Sequence, residues 1–329
     1  MKVAILGAGG FLGRRVAERL TKAGTLGGRA ISGMTLFDIS APPAPLAPFP
    51  VATMGGDVAE LPAGAVPPGT EVVFHLAAVV SAAAEADYDL GRRVNLRGTD
   101  AVIDACREVV AAGGVAPRVV FTSSIASFSG GQAAMLADDA RQVPANSYGA
   151  QKAAAELLLA DATRRGFMDA VSLRLPTIIV RPGRPNKAAS SFFSSIVREP
   201  LLGLPAELPV PDEFRVWVGS PNSAVSWLIH AAAMDTAPMG LDRSLNLPGL
   251  SVTVGEIIAA LDQVRQGASA LVERKPDPVI AGIVGGWPAG FTAARARALG
   301  FAPNEALVEV VRAFVAEDLE PTRRDRGLG

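Results

Sequence analysis

The sequence predicts an α/β protein built on a doubly wound parallel sheet, with a smaller region following it. Three observations carry this. Short β-branched, apolar runs alternate with alanine-rich helical patterns through the first half. The strands lack strict polar alternation, which requires a sheet covered on both faces. A glycine-rich turn joins the first strand to the first helix.

In chain order, "KVAILGA" is a strand and "GFLGRRVAERLTKAG" a helix closed by glycine. "MTLFDIS" is the second strand, and the proline-dense "APPAPLAPFP" can only connect. "EVVFHLAAVV" is a strand running out into a loop, and "NLRGTDAVIDACREVVAAGG" a long helix. "PRVVFTSSIASF" is a further strand, "NSYGAQKAAAELLL" a helix and "AVSLRLPTIIV" a strand. After about residue 180 the strand–helix beat gives way to a stretch rich in Pro, Ser and Gly. Later come a helix at "SAVSWLIHAAAMDT", a turn within "NLPGLSVTVGEIIAALDQV" and terminal helices around 292–317. The expected organisation is a dinucleotide-binding domain over 1–180 and a substrate-binding or capping region over 181–329. A segment near 220–250 is expected to return to the first domain. "PTRRDRGLG" is expected to be a frayed tail.

Composition narrows the function classes. Of 329 residues 49% are hydrophobic and 19% charged, ample for a large core. The net charge of -1, without a basic run, argues against nucleic acid or anionic membrane as partner. The single cysteine, Cys106, rules out an internal disulfide and reads as a small buried apolar residue. The N-terminal apolar run is too short for a signal peptide, and no uncharged run could cross a bilayer, so the expected setting is cytoplasmic. Two histidines without clustered partners, His75 and His230, give no metal site. Trp217, Trp227 and Trp287 read as core or pocket packing.

"GAGGFLG" places Gly7, Gly10 and Gly13 between strand and helix, where Phe11 and Leu12 open the helix. Glycine there permits a tight turn, close approach of backbone to a pyrophosphate and close helix–strand packing. The helix N-terminus offers free N–H groups and partial positive charge. Asp38, followed by Ile39, ends the second strand. Its carboxylate can accept both adenosine ribose hydroxyls and would repel a 2′-phosphate, so NAD is preferred over NADP. Asp57 and Val58 are candidates for the adenine, with a plain turn aspartate as the alternative.

Tyr148 and Lys152, four apart, share one helix face, with Asn146 or Ser147 as cap. Alone they would read as a surface pair. A tyrosine base needs its pKa lowered from about 10 by about 3 units, roughly 4 kcal/mol of preferential phenolate stabilisation. A nearby ammonium and an oxidised nicotinamide can supply it. "FTSSIASF" adds Ser124, able to bond the substrate oxygen, and Ser123, expected nearer the cofactor.

Together "GAGGFLG", the strand-end aspartate, "HLAA", "VNLRGT", "TSSIASF" and "SYGAQK" resemble the extended short-chain dehydrogenase/reductase superfamily, with its Rossmann-type sheet. The resemblance implies Tyr148 as acid/base, Lys152 as its activator, also able to hold the nicotinamide ribose, and Ser124 as third member. It implies that Leu76, Ala77 and Ala78 line the cofactor path, that Asn95 supports the site, and that Pro176 and the residues after it, Ile178 included, meet the nicotinamide. Ile125 and Ala126 stand where dehydratases of the superfamily carry an Asp-Glu pair, and neither can move a proton. "VVSAAAEADYDLGRRVN", "RLPTIIVRPGRPN", "AASSFFSSIVREPLLG" and "LNLPGLSVTVGEIIAAL" further resemble the D-erythronate dehydrogenase family. That implies NAD-dependent oxidation of the C2 hydroxyl of a small sugar acid. For its carboxylate and hydroxyls the candidates are Arg181, Arg184, Ser81, Asn186 and Ser190, with surface arginine and loop serine as the alternatives. Analogy with related enzymes implies a homodimer through the helices at 95–112 and 148–165. A nucleotide-sugar 4-epimerase and a non-catalytic NAD-sensing protein remain the alternative functions.

Overall fold

Seven parallel strands form the central sheet of this computed structural model, which describes residues 1–131, 135–185 and 189–328. They are β1 (Lys2–Leu6), β2 (Gly33–Asp38), β3 (Val51–Gly55), β4 (Thr70–His75), β5 (Arg118–Ser124), β6 (Asp169–Leu175) and β7 (Ser244–Asn246). Their spatial order is β7-β6-β5-β4-β1-β2-β3. Strand order reverses between β1 and β4, whose last residues, Leu6 and His75, are register partners. A crevice opens beyond the carboxyl ends at such a switch point.

Successive residues along a strand face opposite sides, so each strand feeds two cores. Val3 and Ile5 pack with Val16 and Leu20 of α1 (Phe11–Ala23), while Ala4 and Leu6 pack with Val102 and Cys106 of the opposite layer. That layer holds α3 (Gly98–Ala111), entered through a π-helical turn at Arg93–Arg97, and α4 (Ser147–Arg164). A short α2 (Ser81–Ala86) precedes them. Phe74 and Phe121 are fully buried, each contributing about 1.5–3 kcal/mol over an exposed site. The α/β fold class and its doubly covered sheet are therefore as the sequence indicates.

Pro176 carries the chain from β6 into a three-stranded sheet of Thr177–Ile178, Arg215–Gly219 and Leu250–Thr253 above the carboxyl edge. A separate core forms there from Phe193 and Ile196 of α5 (Phe192–Leu201), Ile257 of α7 (Val254–Val264) and Phe314 of α8 (Leu307–Glu317). Between these segments the chain revisits the main sheet. α6 (Pro221–Ala233) packs Trp227 and Leu228 against the α1 face, and β7 pairs with β6. Trp217 packs edge-on against Phe291. His75 is neutral, its ring pushed down to about 3 by burial and by the Lys152 charge, and its Nε2 meets Thr99 at 3.1 Å. His230 Nε2 lies 2.8 Å from the Leu299 carbonyl. Among the described residues no helix is long and apolar enough to cross a membrane.

The C-terminus corrects one expectation. Residues 321–328 are not a frayed tail: α9 (Leu319–Asp325) is helical, and Thr322 is buried. The arginines that made the segment look solvated include Arg326, which pairs with the buried Glu199 of α5. A polar sequence docks here because its charges find buried partners.

Candidate active site

The crevice begins at the first turn. Gly7 adopts φ 90°, and the N–H groups of Gly7 and Ala8 both donate to the Phe37 carbonyl, at 2.8 and 3.0 Å. A Cβ on Gly7 would lie 2.5 Å from the Ala77 nitrogen, and one on Gly13 would lie 2.1 Å from the Gly7 carbonyl oxygen. Only glycine allows these approaches. Gly10 caps α1 in extended conformation with no side-chain bond, leaving the helix N-terminus open to an anion. Asp38 holds the loop from β2: one oxygen accepts the Gly9 N–H at 2.8 Å, the other the Ile39 N–H at 2.7 Å. The Ile39 side chain is exposed.

The neighbouring candidates divide. Leu76 and Ala78 line the crevice with Phe11, Leu12, Pro176 and Ile178. Asn95 is buried, and its amide is taken up by both backbone groups of Val79, at 2.9 Å each, and by Gln151 at 2.7 Å. It pins the loop after β4. Asp57 caps a 3-10 turn, accepting the Ala59 N–H at 2.8 Å, and pairs with Arg93. Val58 is buried, at a point where Gly98 leaves it room.

The carboxyl edge of β5 brings the reacting groups together. Asn146 is the cap of α4: its Oδ1 accepts the Gly149 N–H at 2.8 Å, while its Nδ2 donates to Ser129 at 3.0 Å. A Cβ on Gly149 would lie 2.2 Å from the Ala126 carbonyl oxygen, so glycine lets the helix press onto the turn after β5. Tyr148 is thereby placed in the same crevice as Ser124, whose Oγ accepts the Ala126 N–H at 3.1 Å. Burial pushes the Tyr148 phenol up to about 12, opposed by the Ser124 hydroxyl and the Arg181 charge. Lys152 lies one helical turn on, almost fully buried. Its Nζ is 4.5 Å from the Phe121 ring centre and 5.7 Å from that of Tyr148, and it bonds no described residue. Burial pulls this ammonium down to about 7, against the upward pull of Glu156.

Behind this group is a buried ion pair that sequence reasoning missed. Arg174 of β6 donates to Glu156 through Nε at 3.1 Å and Nη2 at 2.8 Å. Gln142 reaches Glu156 at 3.1 Å, and the Ser123 hydroxyl donates to it as well. Ser123 thus lines the crevice with its hydroxyl turned to Glu156. The available signals were Glu156 one turn beyond Lys152 and a charge inside the apolar run "SLRLP".

On the substrate side, Arg181 enters the crevice with its guanidinium in electrostatic reach of Tyr148. Burial and the neighbouring Arg198 lower its pKa. Its Nη2 stands 3.5 Å from the Ser190 hydroxyl. Ser81 and Ser190 also line the crevice, whereas Arg184 lies exposed outside it. Asn186 falls outside the described residues. The crevice encloses about 300 Å³ beside a second cavity of about 1210 Å³, and Ser81 and Trp287 line both.

A protein-family model described as the NAD dependent epimerase/dehydratase family matches residues 3–217. The chain belongs to this family. NAD is its cofactor, and the glycine turn, the open α1 terminus and Asp38 fit that group. D-erythronate dehydrogenase of Cupriavidus necator is 46% identical over 325 residues, covering 96% of this chain and 98% of that one. D-erythronate dehydrogenase of Haemophilus influenzae is 39% identical, covering 97% of this chain and 100% of that one. A solved structure described as a nucleoside-diphosphate-sugar epimerase from Agrobacterium tumefaciens superposes with a TM-score of 0.91. It is 46% identical and covers 97% of this chain and 95% of that one.

Proposed function

We propose that the protein is an NAD-dependent dehydrogenase that oxidises the C2 hydroxyl of D-erythronate to give 2-dehydro-D-erythronate. The observation that carries this is the placing of Tyr148, Ser124 and Arg181 in one crevice. In a 2-hydroxy acid the reacting carbon is bonded to the carboxylate. A cation binding that carboxylate must therefore stand beside the base. Arg181 does so, and a guanidinium can hold a carboxylate through two parallel hydrogen bonds. Two relatives with that activity, matched along nearly their whole lengths, support the substrate.

NAD supplies the hydride acceptor when bound. The chain's own residues manage the proton. Tyr148 removes it from the C2 hydroxyl, and Ser124 donates to the oxygen as the carbonyl forms. Lys152, its Nζ 5.7 Å from the Tyr148 ring centre, stabilises the phenolate and is proposed to hold the nicotinamide ribose. Ser81 and Ser190 are the candidates for the remaining hydroxyls; Arg184 would have to approach on binding, and Asn186 keeps the role suggested by the sequence. Asp57 and Val58 keep the proposed adenine role, and Ile39 remains a cofactor-binding candidate beside Asp38. The protein is further proposed to be a cytoplasmic homodimer. Leu157 and Leu158 of α4 are exposed, as a helix-pairing interface would require.

The test is NADH absorbance with a panel of four-carbon sugar acids. D-erythronate should give turnover with NAD and little with NADP; no turnover with any of them would sink the substrate assignment. The epimerase reading has one observation in its favour, the cavity of about 1210 Å³ beside the crevice. Interconversion of a UDP-sugar without net NADH would establish it.

A further inference from the structure

The C-terminal segment contacts the substrate loop at one point and α5 at another. Thr322 is buried, and its hydroxyl accepts the Gly183 N–H at 3.3 Å. Arg326 pairs with Glu199, whose other oxygen accepts from Arg198 Nε at 2.9 Å. Arg198, buried in turn, donates to the Arg181 carbonyl at 2.8 Å and to Ser195 at 3.1 Å. The other end of the segment is tied to the cofactor helix: Arg15 of α1 bonds Glu317 at 3.0 Å and Asp318 at 2.5 Å. The segment therefore spans from the helix that begins at the glycine turn to the loop that carries Arg181.

We infer that α9 and the residues after it form a strap that sets the substrate loop, with Arg326 acting as a positioning residue for Arg181 through Glu199 and Arg198. The inference rests on the reading of Arg181 as the carboxylate anchor. Two cations, Arg181 and Arg198, lie close together here, and Glu199 is the buried anion between Arg198 and the strap. Without Arg326, Glu199 keeps one cation instead of two, and the strap loses its grip on α5. The loop around Arg181 and Gly183 then samples more conformations, so part of the binding energy goes into ordering it. That loss falls on the bound acid, since the glycine turn and Asp38 are untouched.

Steady-state kinetics with D-erythronate and NAD tests this. Arg326→Ala should raise KM for the acid about tenfold while kcat and KM for NAD stay within about twofold. Arg326→Lys should recover most of the difference. Arg181→Ala should raise the acid KM by itself, and adding Arg326→Ala to it should change KM less than about twofold, because both act on one contact. Thr322→Val, which removes only the acceptor for Gly183, should shift the acid KM in the same direction and provides the readout if Arg326→Ala does not fold. An unchanged acid KM in Arg326→Ala overturns the inference, as do multiplicative effects in the double variant or an equal rise in KM for NAD. If Arg181→Ala leaves the acid KM unchanged, the anchor reading fails first and the inference with it. If Arg181→Ala raises it and Arg326→Ala does not, only the strap fails.

Discussion

Tyr148 and Ser124 line the same crevice at the carboxyl edge of the sheet, one from the start of α4 and one from the end of β5. The Ser124 hydroxyl lowers the phenol's pKa against the stronger upward push of burial. Tyr148→Phe removes the only group in this pair that can take the substrate proton. It should cut kcat by about 10³–10⁴-fold, within the span of general acid–base catalysis. NAD binding, followed by thermal shift or fluorescence, should persist. Ser124→Ala should be milder, about 10²–10³-fold, because one oxyanion donor is lost and the base remains. A Tyr148→Phe protein with full activity would refute the proposed base.

Lys152 and Tyr148 are displaced in opposite directions by the same burial, the lysine down to about 7 and the tyrosine up to about 12. Both shifts favour neutral side chains, so each raises the cost of the phenolate–ammonium state. Alcohol oxidation needs Tyr148 without its proton, so the rate should rise with pH. A protonated Lys152 favours the phenolate and shifts that rise to lower pH. Lys152→Met removes the positive charge at every pH. The acid limb of its kcat/KM profile should therefore move upward, by about one pH unit or more. An unmoved or lower-lying limb would exclude an electrostatic role for Lys152.

Much of this site was legible because the relevant constraints are local. Gly7 must turn at φ 90° and Gly13 must lie against the Gly7 carbonyl, both within one strand–turn–helix unit, and the capped start of α4 is written in "NSYG". Tyr148 and Lys152 share a helix face by spacing alone. The long-range partners were not legible. No local rule places Arg326 against Glu199, 127 residues apart, and so a charged terminus read as frayed. Asp57 has the composition of a ligand contact, yet in the fold it caps its own turn and faces Arg93. Arg181 and Arg184 look equivalent around one "PG" turn, but only Arg181 lines the crevice.

Glu156 and Arg174 form a nearly dry pair directly behind Lys152, with side chains 3% and 10% exposed. Arg174 comes from the sheet and Glu156 from α4, so the pair also fastens the catalytic helix to the strands beneath it. Removing one partner leaves the other charge buried and uncompensated. Glu156→Ala should therefore cost about 3–5 kcal/mol of stability, far more than an exposed pair. Arg164 and Asp161, an exposed pair on the same helix, provide the comparison: Asp161→Ala should cost less than about 1 kcal/mol. Denaturant unfolding of the two variants measures the contrast. Equal midpoints would show that Arg174 finds water or another acceptor when Glu156 is gone, and that the pair does not anchor α4. With the pair intact, Glu156 also holds the Lys152 ammonium against desolvation. Glu156→Gln, which keeps the shape, should thus lower the lysine's pKa below about 7, opposite to the effect expected from merely opening the site to water.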